Sequence, residues 1–175
     1  MKRPRRRGYH CRSCGRYHDE LPLVYGPDAP VYWDAVPEAE RARRFEMTSD
    51  QAVLDGEHFF IRGRLEIPII GHDEPFAWLV WTTLSRANFE RATDLWHTPG
   101  REQEPPYFGW LSTALPYEPD TVNLKTMVHT RPVGIRPYIE VEATDHPLAA
   151  EQRTGITWER VQEIAELVLH GPRSC

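Results

Sequence analysis

Hydrophobic and polar positions alternate over several short stretches in the middle of the chain, as in half-buried β-strands. Residues 51–54 and 58–70 form two such stretches, and Asp55-Gly56 between them is a strong signal for a hairpin turn. Within the second stretch, Gly63 indicates a bulge, and Pro68 indicates that the end of the strand lies at a sheet edge.

Three further stretches complete the predicted sheet, and a fourth connects two of them. Residues 76–84 are almost continuously apolar, which is typical of a central strand covered on both faces. Residues 122–129 and 138–142 alternate, and we expect them to pair across the loop 130–137. Residues 101–120 are rich in proline and predict an irregular segment.

Four helices are predicted from apolar spacing and from capping residues. They are a helix from Pro37 to about Phe45, a helix capped by Ser85, a helix over 147–153 capped by Thr144 or Asp145, and a last helix from Thr157 to Gly171. This pattern predicts an α+β fold with a largely antiparallel sheet packed with helices. The predicted organisation is a basic arm and Cys/His knuckle over residues 1–20, followed by a single domain over 21–172.

Charge divides the 175-residue chain into two parts. Residues 1–20 hold seven Lys or Arg against two acidic residues, a balance of +5, so the net charge of −5 leaves −10 on the rest. Nucleic acid is therefore expected to bind only through residues 1–18, unless this arm is a solvated tail. No apolar run is long enough to span a bilayer, and three cysteines without a secretory signal indicate a cytoplasmic protein.

The sharpest chemical signal is Cys11-x-x-Cys14-Gly15 with His18 close behind. Two thiolates at this spacing can hold one Zn²⁺ from a tight turn, and His18 is a third local ligand. A structural zinc site needs a fourth ligand, for which the sequence offers His10, His58 or Cys175 without choosing among them. A redox pair and two unligated thiols are the alternatives.

A second constellation depends on the pairing of strands 122–129 and 138–142. That pairing would place His129 near the carboxylate of Glu140, which can orient an imidazole for acid–base chemistry, with Arg131 nearby to bind an anion. The alternative is an ordinary solvated sheet face. His146 is a further catalytic candidate, as part of an Asp145–His146 pair, but the favoured interpretation is that Asp145 caps a helix whose first turn contains Pro147.

Aromatic residues cluster in the proline-rich segment, at Tyr107, Phe108 and Trp110. Such a cluster indicates either a ligand-recognition surface or a lid folded onto the core.

Four segments in the same order resemble a bacterial family called domain of unknown function 2199: DGEHFFIRG at 55–63, PPYFGWL at 105–111, HTRPVG at 129–134 and TDHPLA at 144–149. The resemblance extends over about residues 9–170. It implies a small bacterial protein that begins with a Cys-x-x-Cys motif, and it implies no particular activity.

The function that these observations favour is a binding or interaction module with a structural zinc knuckle. The alternatives are a small enzyme with a site between residues 105–111 and 122–146, and nucleic-acid contact through the basic arm. Motifs for nucleotide binding and for zinc proteases are absent from the sequence.

Overall fold

A computed structural model describes residues 8–171 of the chain. Within this range there are ten strands: β1 (Tyr9–His10), β2 (Tyr17–His18), β3 (Val24–Tyr25), β4 (Phe45–Met47), β5 (Gln51–Leu54), β6 (His58–Ile67), β7 (Phe76–Leu84), β8 (Tyr107–Trp110), β9 (Lys125–His129) and β10 (Tyr138–Val141). The five α-helices are α1 (Tyr32–Ala35), α2 (Glu38–Arg44), α3 (Arg86–Asp94), α4 (Pro147–Thr154) and α5 (Trp158–His170).

The large sheet has the strand order β3-β7-β6-β10-β9-β8, and the β4–β5 hairpin is added beside β6. Most neighbours are antiparallel, but β3 runs parallel to β7 and β10 runs parallel to β6. Strands β1 and β2 form a separate antiparallel pair. The predicted α+β class, with a short Cys/His knuckle near its start, is therefore confirmed.

The ladder between β6 and β7 is the longest in the sheet and organises the rest. It pairs every residue from Phe59 with Leu84 to Ile67 with Phe76, so the bulge predicted at Gly63 is wrong. Glycine is needed there for a different reason, because a Cβ would collide with the Ile139 side chain and the Pro137 carbonyl. Strand β6 lies between β7 and β10 and ends at Ile67, one residue before Pro68.

The sheet curls until its last strand returns to β7. Leu111 forms a bridge with Thr82, and the Ser112 N–H donates to the Trp81 carbonyl over 2.8 Å. Inside this closure, the hydroxyls of Thr82 and Thr126 are 2.8 Å apart. The segment predicted to be irregular therefore contains a strand, because its backbone pairs with β9, whose distant position a local pattern does not reveal.

Apolar side chains form two cores on opposite faces of the sheet. The larger one contains Trp78, Val128 and Ile139 together with Val161 and Ile164 of α5. The smaller one surrounds Trp81 and Phe60, and Trp33 of α1 and the β4–β5 hairpin pack against it. Tyr9 and Cys11 belong to the larger core, which places the start of the knuckle against the body of the protein.

Helix capping agrees with the prediction at one site and differs at another. The Ser85 hydroxyl accepts a hydrogen bond from the first turn of α3, as predicted. The last helix, predicted to start at Thr157, begins at Trp158 and is capped by the Thr157 hydroxyl. Helix α4 is capped by His146, whose Nδ1 accepts from the Leu148 N–H over 3.1 Å, and not by Thr144 or Asp145.

Among residues 8–171, no helix combines the length and apolar character that crossing a membrane requires.

Candidate metal centre

The knuckle is a β-hairpin whose turn contains Cys11 and Cys14. Strands β1 and β2 pair Tyr9 with His18, and the chain between them turns tightly. The Gly15 N–H donates to the Cys11 carbonyl over 2.9 Å, and Gly15 itself has a φ of 69°, a conformation that favours glycine. The Cys14 N–H points at the Cys11 sulfur over 3.5 Å. The Cys-x-x-Cys motif thus lies in a hairpin turn and not at the start of a helix, where a redox pair normally lies.

The C-terminal end of α5 lies against this turn. The Arg12 N–H donates to the Glu166 carboxylate over 2.7 Å, and Glu166 is buried. His170 follows Glu166 by four residues, so both side chains lie on the same face of α5. Helix α5 therefore contacts the knuckle backbone through Glu166 and presents an imidazole beside the two cysteines.

Four side chains converge at this point: Cys11, Cys14, His18 and His170 offer ligand atoms that all lie within 4.8 Å of one another. A tetrahedral Zn²⁺ with bonds of about 2.0–2.3 Å holds its ligands about 3.3–3.8 Å apart. The Cys14 Sγ and His18 Nε2 atoms are already 3.5 Å apart. The group thus needs only a small contraction to surround one ion, and its two sulfurs and two nitrogens form a donor set that Zn²⁺ prefers.

Packing holds Cys11 and His18 in place, whereas Cys14 and His170 are exposed. Cys11 is 2% exposed, and the His18 ring is stacked on Tyr9 with ring centroids 5.0 Å apart. Burial opposes ionisation of Cys11, but hydrogen bonds from the backbone N–H groups of Cys14 and Ser13 lower the pKa of this thiol below its ordinary value. Stabilisation of the thiolate suits a metal ligand, because the ionised sulfur is the form that binds.

The predicted set of three local ligands is brought together, and the fourth member of the group is one that the sequence reasoning missed. His10 packs on Tyr17 and is exposed, and His58 is exposed at the start of β6, so neither belongs to the group. Cys175 lies outside the described residues. His170 carried no local signal except its position at the end of the last helix, just before Gly171.

The sequence model of a bacterial family, domain of unknown function 2199, described as an uncharacterised protein conserved in bacteria, matches residues 10–156. The chain belongs to this family. The matched range includes Cys11, Cys14 and His18 and ends before α5, so His170 lies beyond it. No curated protein and no solved structure matches the chain.

The second constellation forms with the predicted strand pairing. Strands β9 and β10 pair antiparallel with Tyr138 opposite His129, and His129 Nε2 lies 2.6 Å from a Glu140 carboxylate oxygen. Arg131, however, donates two hydrogen bonds of 2.8 and 2.9 Å to Glu66. Its guanidinium is therefore already engaged with an internal anion.

Tyr107 takes a structural position. It is buried and donates to the Glu104 carboxylate over 2.8 Å, and burial, together with this hydrogen bond, raises the pKa of the phenol to about 12. Phe108 and Trp110 are exposed on the opposite face of β8 and pack edge to face. The cluster is thus a strand, not a loop or a lid.

His146 also takes a structural position. It caps α4, and its Nε2 lies 2.9 Å from the Pro119 carbonyl.

The basic arm largely lies outside the described residues, which begin at Gly8. Nucleic-acid contact through it remains a prediction.

Proposed function

We propose that Cys11, Cys14, His18 and His170 bind one structural Zn²⁺, which fastens the N-terminal knuckle to the end of α5 in a domain that binds a ligand or partner. The observation that carries this proposal is the convergence of four ligand atoms within 4.8 Å from the two ends of the described chain. Two sulfur and two imidazole donors complete a tetrahedral shell, and a closed four-ligand shell is typical of structural zinc.

A structural role fits the position of the group better than a catalytic one. A catalytic zinc keeps a coordination position for water or substrate, whereas four protein side chains are in reach of the ion here. The neighbouring contact from Arg12 to Glu166 joins the same two elements by a hydrogen bond. The metal would therefore strengthen a contact between the knuckle and α5 that this hydrogen bond already makes.

Zinc content of untagged protein, purified without chelator, tests the proposal by mass spectrometry. We expect about one zinc per chain in the wild type, in keeping with one closed four-ligand site. The Cys11→Ser/Cys14→Ser variant is expected to contain none. His170→Ala should weaken zinc binding at least about tenfold in competition with a chromophoric chelator, because loss of a group that only hydrogen-bonds to a metal ligand already costs that much.

His10→Ala is the matched control, because His10 neighbours Cys11 but lies outside the group. It should bind zinc like the wild type. Replacement by Co²⁺ gives a second readout, since thiolate-to-cobalt absorption reports sulfur ligation directly. Wild-type protein that takes up no zinc or cobalt, or a His170→Ala variant with unchanged affinity, would contradict the proposed site.

A further inference from the structure

The two cysteines of the metal group differ in their access to solvent. Cys11 is 2% exposed and belongs to the larger core, whereas Cys14 lies in a continuous run of exposed residues from 12 to 17. Thiolate character and exposure decide which cysteine of a protein is oxidised, and a bound metal keeps both sulfurs in the thiolate form. A small oxidant in solution therefore meets the Cys14 sulfur first.

The Cys11 sulfur lies close enough to complete a disulfide with Cys14. The two Sγ atoms are within 4.8 Å of each other, and both belong to the tight turn that the Gly15 N–H closes on the Cys11 carbonyl. A disulfide holds its sulfurs about 2.05 Å apart, so they have to approach by less than about 3 Å, which is the scale of a χ1 rotation. The turn thus holds an exposed sulfur beside a buried one that can react with it.

A disulfide and the metal exclude each other at this site. The thiolate is the form of cysteine that binds zinc, and a disulfide contains none. Oxidation would leave the group with the imidazoles of His18 and His170, whereas a structural zinc takes four ligands. The state of the two sulfurs therefore decides whether a metal can join the knuckle to α5.

We infer that hydrogen peroxide converts Cys11 and Cys14 into a disulfide and thereby releases the zinc, an inference that rests on the proposed zinc site and adds its regulation. The Cys14 thiolate attacks one peroxide oxygen, the O–O bond breaks, and a sulfenic acid and hydroxide form. The Cys11 thiolate then attacks the Cys14 sulfur and expels a second hydroxide. The two sulfurs together give two electrons to the peroxide, and two protons from solvent complete two waters.

The body of the protein does not depend on this step. Tyr9 is packed in the larger core, and the hydrogen bond from the Arg12 N–H to Glu166 involves no metal-ligand atom. Oxidation should therefore loosen the turn and the end of α5 without unfolding the sheet. Amide hydrogen exchange at residues 12–15 and 167–170 should rise at least about tenfold, while exchange in β6 and β7 stays unchanged.

Peroxide titration of zinc-loaded protein tests the inference. Cys175→Ser is the parent protein, because it leaves Cys11 and Cys14 as the two thiols of the chain. Peroxide should release about one zinc per chain to a chromophoric chelator, in step with the loss of both thiols. Trypsin cleaves after Arg12, so the disulfide should appear as two linked peptides in the digest. Dithiothreitol with added zinc should restore the bound metal.

Two single variants of this parent separate the roles of the sulfurs. Cys11→Ser and Cys14→Ser each remove one of the two thiolates of the metal group, but the sulfur that remains differs in exposure. Under peroxide, dimedone traps the sulfenic acid that has no second thiol to react with. It should label Cys14 in the first variant at least about tenfold faster than Cys11 in the second, because oxidation follows exposure.

Zinc that stays bound under excess peroxide, zinc that leaves without a Cys11–Cys14 disulfide, or equal labelling of the two single variants would each overturn the inference. Zinc content is measured on the same samples before peroxide is added. A parent protein that binds no zinc would contradict both proposals, whereas one that binds zinc and keeps it under peroxide would contradict only the oxidation step.

Discussion

The metal group and the His129 face of the sheet both place histidine beside potential partners, yet their chemistry differs. On the sheet face, His129 lies 2.6 Å from Glu140, and Arg131 is bidentate to Glu66, which also accepts from Arg64 over 3.0 Å. At the knuckle, two sulfurs and two imidazoles face one another. All four groups can donate to a metal. They do not form an ion pair with one another, as Arg131 and Glu66 do.

The difference teaches how to rank clusters of reactive side chains. Side chains of opposite charge pair with one another, so no bound ligand is needed to explain why they lie close together. Four soft or borderline donors gathered around one point gain little from each other and much from a shared ion. The predictions that follow test this contrast, beginning with the largest effect.

Metal removal should give the largest loss of stability. Saturating zinc, at about 1,000 times its Kd, would stabilise the fold by about 4 kcal/mol, which corresponds to about 8–16 °C in melting temperature for a chain of this size. Calorimetry with and without a strong chelator measures the shift. The Cys11→Ser/Cys14→Ser variant should melt at the chelated value and respond no further. If the wild type melts at the same temperature with and without the chelator, the knuckle gains no stability from a metal. The contrast between the metal group and the His129 face would then be wrong.

Arg131→Met should have the next largest effect. It leaves the half-buried Glu66 carboxylate with Arg64 as its remaining partner, and we expect a loss of about 1.5–3 kcal/mol in the free energy of unfolding. Urea denaturation at pH 7 measures it. Arg43→Met is the control, because the pair that Arg43 forms with Glu40 is exposed and its loss should cost less than about 0.5 kcal/mol. Equal losses would show that the Arg131 contacts contribute no more than a surface pair.

Lowering the pH should remove the contribution of Glu66 to the free energy of unfolding. The hydrogen bonds from Arg131, with those from Arg64, outweigh burial and lower the pKa of Glu66 in the folded protein. A lowered pKa stabilises the fold above the unfolded value of about 4.3, and that stability is lost as the pH falls through the folded pKa. The stability difference between wild type and Glu66→Gln should therefore narrow from about pH 5 downward. A difference that stays constant to pH 2.5 would contradict this assignment.

His129→Ala should have the smallest effect, below about 1 kcal/mol, because its contact with Glu140 is an exposed pair. It should also leave zinc content unchanged, since His129 lies outside the metal group. Denaturation and metal analysis on this one variant sharpen the comparison. A loss of stability as large as that expected for Arg131→Met would contradict the description of the His129–Glu140 contact as an exposed pair.

Several features follow from residues close together in sequence, and these were predicted well. Asp55-Gly56 makes the turn between β5 and β6, Ser85 caps α3, and the Cys11–Cys14 spacing forms a tight turn. Each depends on backbone conformation and hydrogen bonds over a few residues, which local chemistry dictates. The antiparallel partner of β9 was also predicted, because β10 follows it across a short loop.

The sequence by itself thus determined the local elements, the α+β class and three of the four metal-ligand candidates. Only the tertiary structure decided that Gly63 makes room for Ile139, that residues 107–110 form a strand against β9, and that His170 joins the knuckle. The physical reason is the same in each case. These contacts are made by segments far apart in the chain, and their geometry is set by how the two cores pack around the sheet, which no local pattern of residues encodes.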